Sequence, residues 1–111
     1  MATDKDMIEY IVEQINDTGE ITYLKMFGEY GIYSDGKIFG LVCDNKLYLK
    51  PTSAGREFIK NVVEAPPYPG AKSYFLIEEE LDDSEWLSQL VRVTVAELPT
   101  LKPKKKKKIL I

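Results

Sequence analysis

Tyr30-Gly31-Ile32-Tyr33-Ser34-Asp35-Gly36-Lys37-Ile38-Phe39-Gly40-Leu41-Val42-Cys43-Asp44-Asn45-Lys46-Leu47-Tyr48-Leu49 is the stretch that decides the fold. Its apolar residues recur at a period of two, the spacing of a β-strand, and two short polar breaks interrupt them. Asp35-Gly36 suits a type I′ turn, in which both central residues take a positive φ, and Asp44-Asn45 offers a second turn of the same kind. Residues 21–50 therefore predict an antiparallel meander of three strands. If both turns are two-residue loops, the numbers of facing residues sum to 71 across the first and to 89 across the second. Gly31 then faces Gly40.

That register divides the sheet into two faces. Gly31, Tyr33, Ile38, Gly40, Val42, Leu47 and Leu49 share one, where the paired glycines would make a dent for a helix to approach closely; it is the expected core face. Tyr30, Ile32, Phe39, Leu41, Cys43 and Tyr48 share the other, which is too apolar to stand wholly in water. A cover is expected for it. Tyr30, Ile32, Phe39, Leu41 and Tyr48 are accordingly the candidate partner-binding residues, to be covered by a crossing helix, by a second copy in a two-fold dimer, or by a different protein.

Outward from the meander, Met7, Ile8, Ile11, Val12 and Ile15 recur at helical spacing, with Thr3 as a cap, Asp6 in a capping-box position and Gly19 beyond the end. After the meander, Thr52 or Ser53 opens a short helix carrying Phe58, Ile59, Val62 and Val63. Ala65-Pro66-Pro67-Tyr68-Pro69-Gly70 cannot continue it, because proline lacks the amide donor and biases its predecessor away from helix. Lys72 to Ile77 returns as a strand. Asp82-Asp83-Ser84 starts a last helix with Trp86, Leu87, Leu90, Val91 and Leu98 inward. The expected fold class is α+β, a curved antiparallel sheet with helices in the order α-β-β-β-α-β-α. Residues 1–101 form the domain, and 102–111 an unstructured lysine-rich tail.

Composition narrows the function. The chain has 111 residues, 44% of them hydrophobic and 30% charged, enough for one unstapled core. No histidine is present, so the commonest general base and transition-metal ligand is missing and no Ser-His or Cys-His pair can form. The lone Cys43 has no partner for an internal disulfide, which fits a reducing, cytoplasmic setting. Glu78, Glu79, Glu80, Asp82 and Asp83 are the one acidic cluster, and acids ahead of a helix cap it and complement its dipole. No catalytic residue, metal ligand, cofactor or membrane span is expected. Residues 1–101 hold nine basic and 18 acidic groups, so the net charge of −3 becomes −9 once the tail is set aside. Such a body repels nucleic acid on average. Nucleic-acid binding would have to use Lys104, Lys105, Lys106, Lys107 and Lys108, which could meet about five phosphates.

One resemblance sharpens this reading. Lys25-Met26-Phe27-Gly28-Glu29-Tyr30-Gly31-Ile32-Tyr33-Ser34-Asp35-Gly36-Lys37-Ile38-Phe39-Gly40-Leu41-Val42, continued by Lys46-Leu47-Tyr48-Leu49-Lys50, resembles the N-terminal domain of the TfoX (Sxy) family. The likeness extends more weakly through Tyr68-Pro69-Gly70, Tyr74 and the Glu80-Leu81-Asp82 to Trp86 entry into the last helix, covering roughly residues 5 to 98. Glu29 stands where the family often has a second glycine, and the two-domain regulators' C-terminal domain has no counterpart here. The resemblance implies a fold like that of secretion chaperones, with a sheet-lined homodimer as one arrangement. It also implies a bacterial co-regulator of competence genes that works beside a DNA-bound activator, with a transcription factor or polymerase subunit as partner. It implies no catalytic residues.

Overall fold

The computed structural model describes residues 4–26 and 29–98. A helix α1 (Lys5–Gln14) is followed by strands β1 (Ile21–Met26), β2 (Glu29–Ser34), β3 (Lys37–Cys43) and β4 (Lys46–Leu49). Next come helix α2 (Ser53–Ile59), a two-residue strand β5 (Glu64–Ala65), strand β6 (Tyr74–Ile77), a 3-10 turn (Glu79–Asp82) and helix α3 (Ser84–Glu97). The six strands form one antiparallel sheet in the order β1-β2-β3-β4-β6-β5. The fold is α+β, and the expected order is kept with two strands added, β1 and β5.

Both turns take the predicted form. Asp35 and Gly36 have φ of 50° and 84°, and Asp44 and Asn45 have 53° and 60°, the paired positive values that a type I′ turn requires. The second register holds as expected, with Gly40 opposite Leu49 and Cys43 opposite Lys46.

The first register does not hold along its whole length. Ser34 faces Lys37 and Tyr33 faces Ile38, but Ile32 then faces Gly40 and Gly31 faces Leu41, with Phe39 left over as a bulge. A two-residue turn fixes only the pairs that close it, and one inserted residue reverses every side chain beyond. Gly31 and Gly40 are therefore not partners, and no glycine dent receives a helix. Gly40 serves the neighbouring strand instead: a Cβ there would lie 2.6 Å from the Tyr48 carbonyl oxygen.

The core follows from this shifted register. Tyr30, Ile32 and Phe39 join Val42, Leu47, Leu49, Phe75 and Ile77 in a single buried cluster with the helices. From α1 it takes Ile8, Ile11 and Ile15, each 0% exposed, and from α3 Leu87, Leu90 and Val91. Burying each such side chain contributes about 1.5–3 kcal/mol. Helix starts are tied down locally. Thr52 Oγ1 accepts from the Gly55 amide at 2.9 Å, and the Asp83 carboxylate accepts from the Trp86 amide at 3.1 Å. The Asp4 amide donates to Asn45 Oδ1 at 3.0 Å, joining the start of α1 to the β3–β4 turn. Asp4, at the cap position itself, makes no side-chain capping bond; Thr3 lies outside the described residues. Trp86 sits half-buried at the core's margin, its ring 5.4 Å from that of Phe58.

Candidate functional site

All three described helices contribute to the one core, and among the described residues no helix lies over the sheet's other face. Pairing identifies them: Leu24 sits opposite Gly31, Tyr33 opposite Ile38, Gly31 opposite Leu41, Leu41 opposite Tyr48, and Tyr48 opposite Leu76. These residues stand apart from the core cluster. Leu24 is 57% exposed, and Tyr33, Ile38, Leu41 and Leu76 are half-buried. The result is an apolar surface spread across β1, β2, β3, β4 and β6. Gly31 keeps it level, since a Cβ there would lie 2.5 Å from Met26 Cε and 3.2 Å from Ile38 Cδ1.

At one end the surface deepens into a groove of about 590 Å³, lined by Met26, Glu29, Tyr30, Leu41, Cys43, Tyr68 and Tyr74. The loop after β5 forms one wall. Pro67 is buried there while Tyr68 remains 56% exposed. The Glu29 carboxylate accepts from the Asp44 amide at 3.1 Å, which fixes it at the rim. Burial pushes the Cys43 thiol up to about 11, with the Glu29 and Asp44 carboxylates adding to the effect. Burial likewise raises the Tyr48 and Tyr74 phenols. At neutral pH the Cys43 thiol and the Tyr74 phenol of the groove are therefore uncharged. Nucleophilic attack needs a thiolate, a form that these surroundings disfavour at Cys43.

Of the five candidate partner-binding residues, Leu41 and Tyr48 lie on this face, Leu41 half-buried and Tyr48 only 6% exposed. Tyr30, Ile32 and Phe39 lie on the opposite one, because the Phe39 bulge reverses their parity. Ile32 and Phe39 are 0% exposed and Tyr30 7%, so the first two offer no surface to a partner; Tyr30 still borders the groove. Sequence reasoning missed Leu24, Leu76 and the Tyr68–Tyr74 wall. The Tyr33–Ile38 pair was visible as an alternating set but assigned to the wrong side. Lys104 to Lys108 lie outside the described residues.

Charge is distributed unevenly about this face. The helices and the 3-10 turn carry nine acidic and three basic residues, whereas the six strands carry two acidic and three basic. The acids of the body are thus concentrated on the helical side of the sheet and in the turns. Among the described residues, no group of three or more potential ligands is placed to hold a metal ion, and no helix is long and apolar enough to cross a membrane.

Comparison with known proteins gives two results. A family model described as the TfoX N-terminal domain matches residues 13–98. An uncharacterized 12.7 kDa protein in the trpE 5′ region of Spirochaeta aurantia is 43% identical over 107 residues, which cover 96% of this chain and 93% of that protein.

Proposed function

The chain belongs to the TfoX N-terminal domain family, and on that premise we propose that it is a cytoplasmic, non-enzymatic regulatory module that docks the open face of its sheet on a protein of the transcription apparatus. The observation that carries this reading is the one-sided core. Every helix packs on one face of the sheet, while the other presents Leu24, Tyr33, Ile38, Leu41 and Leu76 as a contiguous apolar surface of the kind that marks interaction sites on monomers. The family supports a regulatory role in competence, and a transcription factor or polymerase subunit is the partner that this role calls for.

A photo-crosslinking residue placed at Ile38 or Leu24 in the native host tests the proposal. The expected adduct contains a transcription regulator or a polymerase subunit, and the same adduct is not formed from Glu57 on α2. Adducts only with a second copy of this chain would make the face a dimer interface. No adduct from either position would overturn the docking reading.

A further inference from the structure

The groove at the end of the open face has a chemistry of its own. Tyr68 and Tyr74 line it, with Tyr30 at its border, together with the apolar Met26 and Leu41, the Cys43 thiol and the one carboxylate of Glu29. None of its described lining residues is basic. A volume of about 590 Å³ falls within the ~300–1,000 Å³ of pockets that hold small ligands.

Each feature favours the same occupant. Aromatic faces attract cations through the ring quadrupole, and the attraction grows as water is excluded. A rim carboxylate on a body of net −9 adds a coulombic pull and repels anions. A primary ammonium brings three N–H donors that must each find an acceptor on leaving water. The Glu29 carboxylate is already engaged by the Asp44 amide, and the walls beside it are apolar or aromatic. Each methyl removes one such donor, and a quaternary nitrogen, which has none, matches these walls best. We infer that the groove binds a small methylated organic cation, a tertiary or quaternary amine of about the size of choline. Tyr68 is exposed enough to stand at the entrance. Tyr74 lies within electrostatic reach of both Tyr68 and Cys43, and its phenol is held in the neutral form that cation binding by a ring uses. This site does not depend on the docking reading of the wider face.

Choline and phenyltrimethylammonium are the probes, titrated into the full chain with the tyrosine ring resonances followed by NMR. The neutral isostere 3,3-dimethylbutan-1-ol separates cation recognition from simple apolar fit. Saturable binding of the cations is expected, with the isostere weaker by at least the ~2- to 30-fold that one cation–π contact supplies. Tyr68→Ala and Glu29→Gln should each weaken the cations by a factor in that range without changing the far-UV spectrum; Gln keeps an acceptor for the Asp44 amide. Absence of saturable shifts, equal affinity for the isostere, or unchanged affinity in both folded variants would each overturn the assignment. Crosslinking from Ile38 and Leu24 is unaffected by such a failure, so the two readings stand or fall separately.

Discussion

Glu97, the last residue of α3, accepts a hydrogen bond from the Ala54 amide at 2.8 Å. Its second carboxylate oxygen accepts one from the Ser53 amide at 3.2 Å. The end of one helix thus caps the start of another, placing a negative charge where the dipole of α2 favours it. A seven-residue helix is too short to persist on backbone bonds alone, so this contact and the Thr52 cap hold it in place. Glu97→Ala should lower stability by about 1–2 kcal/mol, an effect readable in the urea midpoint. Hydrogen exchange in the first turn of α2 should rise more than elsewhere. Uniform acceleration over the whole chain would mean that the contact does not act locally.

Gly40 is pressed against the next strand, with the Tyr48 carbonyl 2.6 Å from the place a Cβ would take. Backbone cannot move aside as the tip of a side chain can. Gly40→Ala, the smallest change available, should therefore cost about 1–3 kcal/mol, and Gly40→Val more. Equal midpoints for wild type and Gly40→Ala would show that the strands are not this close.

Phe39 and Leu41 are two positions apart, yet they point to opposite sides because of the bulge. Phe39→Asp buries a charge in the core and should abolish the cooperative unfolding transition. Leu41→Asp falls on the open face and should leave a folded protein with its crosslinks from Ile38 lost. Circular dichroism with thermal melting distinguishes the two. A folded Phe39→Asp variant would return Phe39 to the outer face.

Cys43 gives the protein an alkaline weakness. Its thiol is raised from 9.0 to about 11 in the folded chain, so the native state holds the proton more tightly than the unfolded one. The stabilising contribution is complete below about pH 9, and it disappears as the pH climbs through about 11. Tyr48 and Tyr74 are shifted in the same direction and reinforce the trend. Denaturant midpoints should fall over that window, and less so in Cys43→Ala. A flat profile in wild type would contradict the burial of the thiol. At pH 8 the native thiol should also react with iodoacetamide far more slowly than it does in urea.

Thr94 is 1% exposed and its hydroxyl has no hydrogen-bond partner among the described residues. Thr94→Val keeps the shape and removes a desolvated donor and acceptor, so it should stabilise by about 1 kcal/mol. A lower melting temperature would show that the hydroxyl is satisfied.

These residues also show what the sequence made legible. Turns and caps are local chemistry, so Asp35-Gly36, Asp44-Asn45, Thr52 and Asp83 could each be assigned from a few neighbours, and the stripes of α1 and α3 from their spacing, whereas Val62 and Val63 fall beyond α2, which ends at Ile59 as Lys60 takes a φ of 73°. The Phe39 bulge has no comparable signature. Gly40 beside it marks a close approach, but nothing in a period-two pattern tells which strand comes close, and one unseen residue turned Tyr30, Ile32 and Phe39 from surface into core. The parity of β4 was right because its register is set by a turn with no bulge between. The groove depends on Tyr68 and Tyr74 meeting Met26, Glu29, Leu41 and Cys43 across some 25 to 48 positions of chain. Such a meeting is a property of the folded sheet order, β4 beside β6 in particular, and no local pattern encodes it.

The concentration of acids on the helices has an orienting effect. Among the described residues, nine acids lie on the helices and the 3-10 turn behind the sheet and only Glu29 and Glu64 within its strands, so the negative charge of these elements is heavier on the helical side. For the described residues, repulsion of a polyanion is therefore stronger from the helical side than from the strand side, chiefly within the last ~10 Å that salt leaves unscreened. The long-range repulsion of an acidic body is thereby converted into a preferred angle of approach.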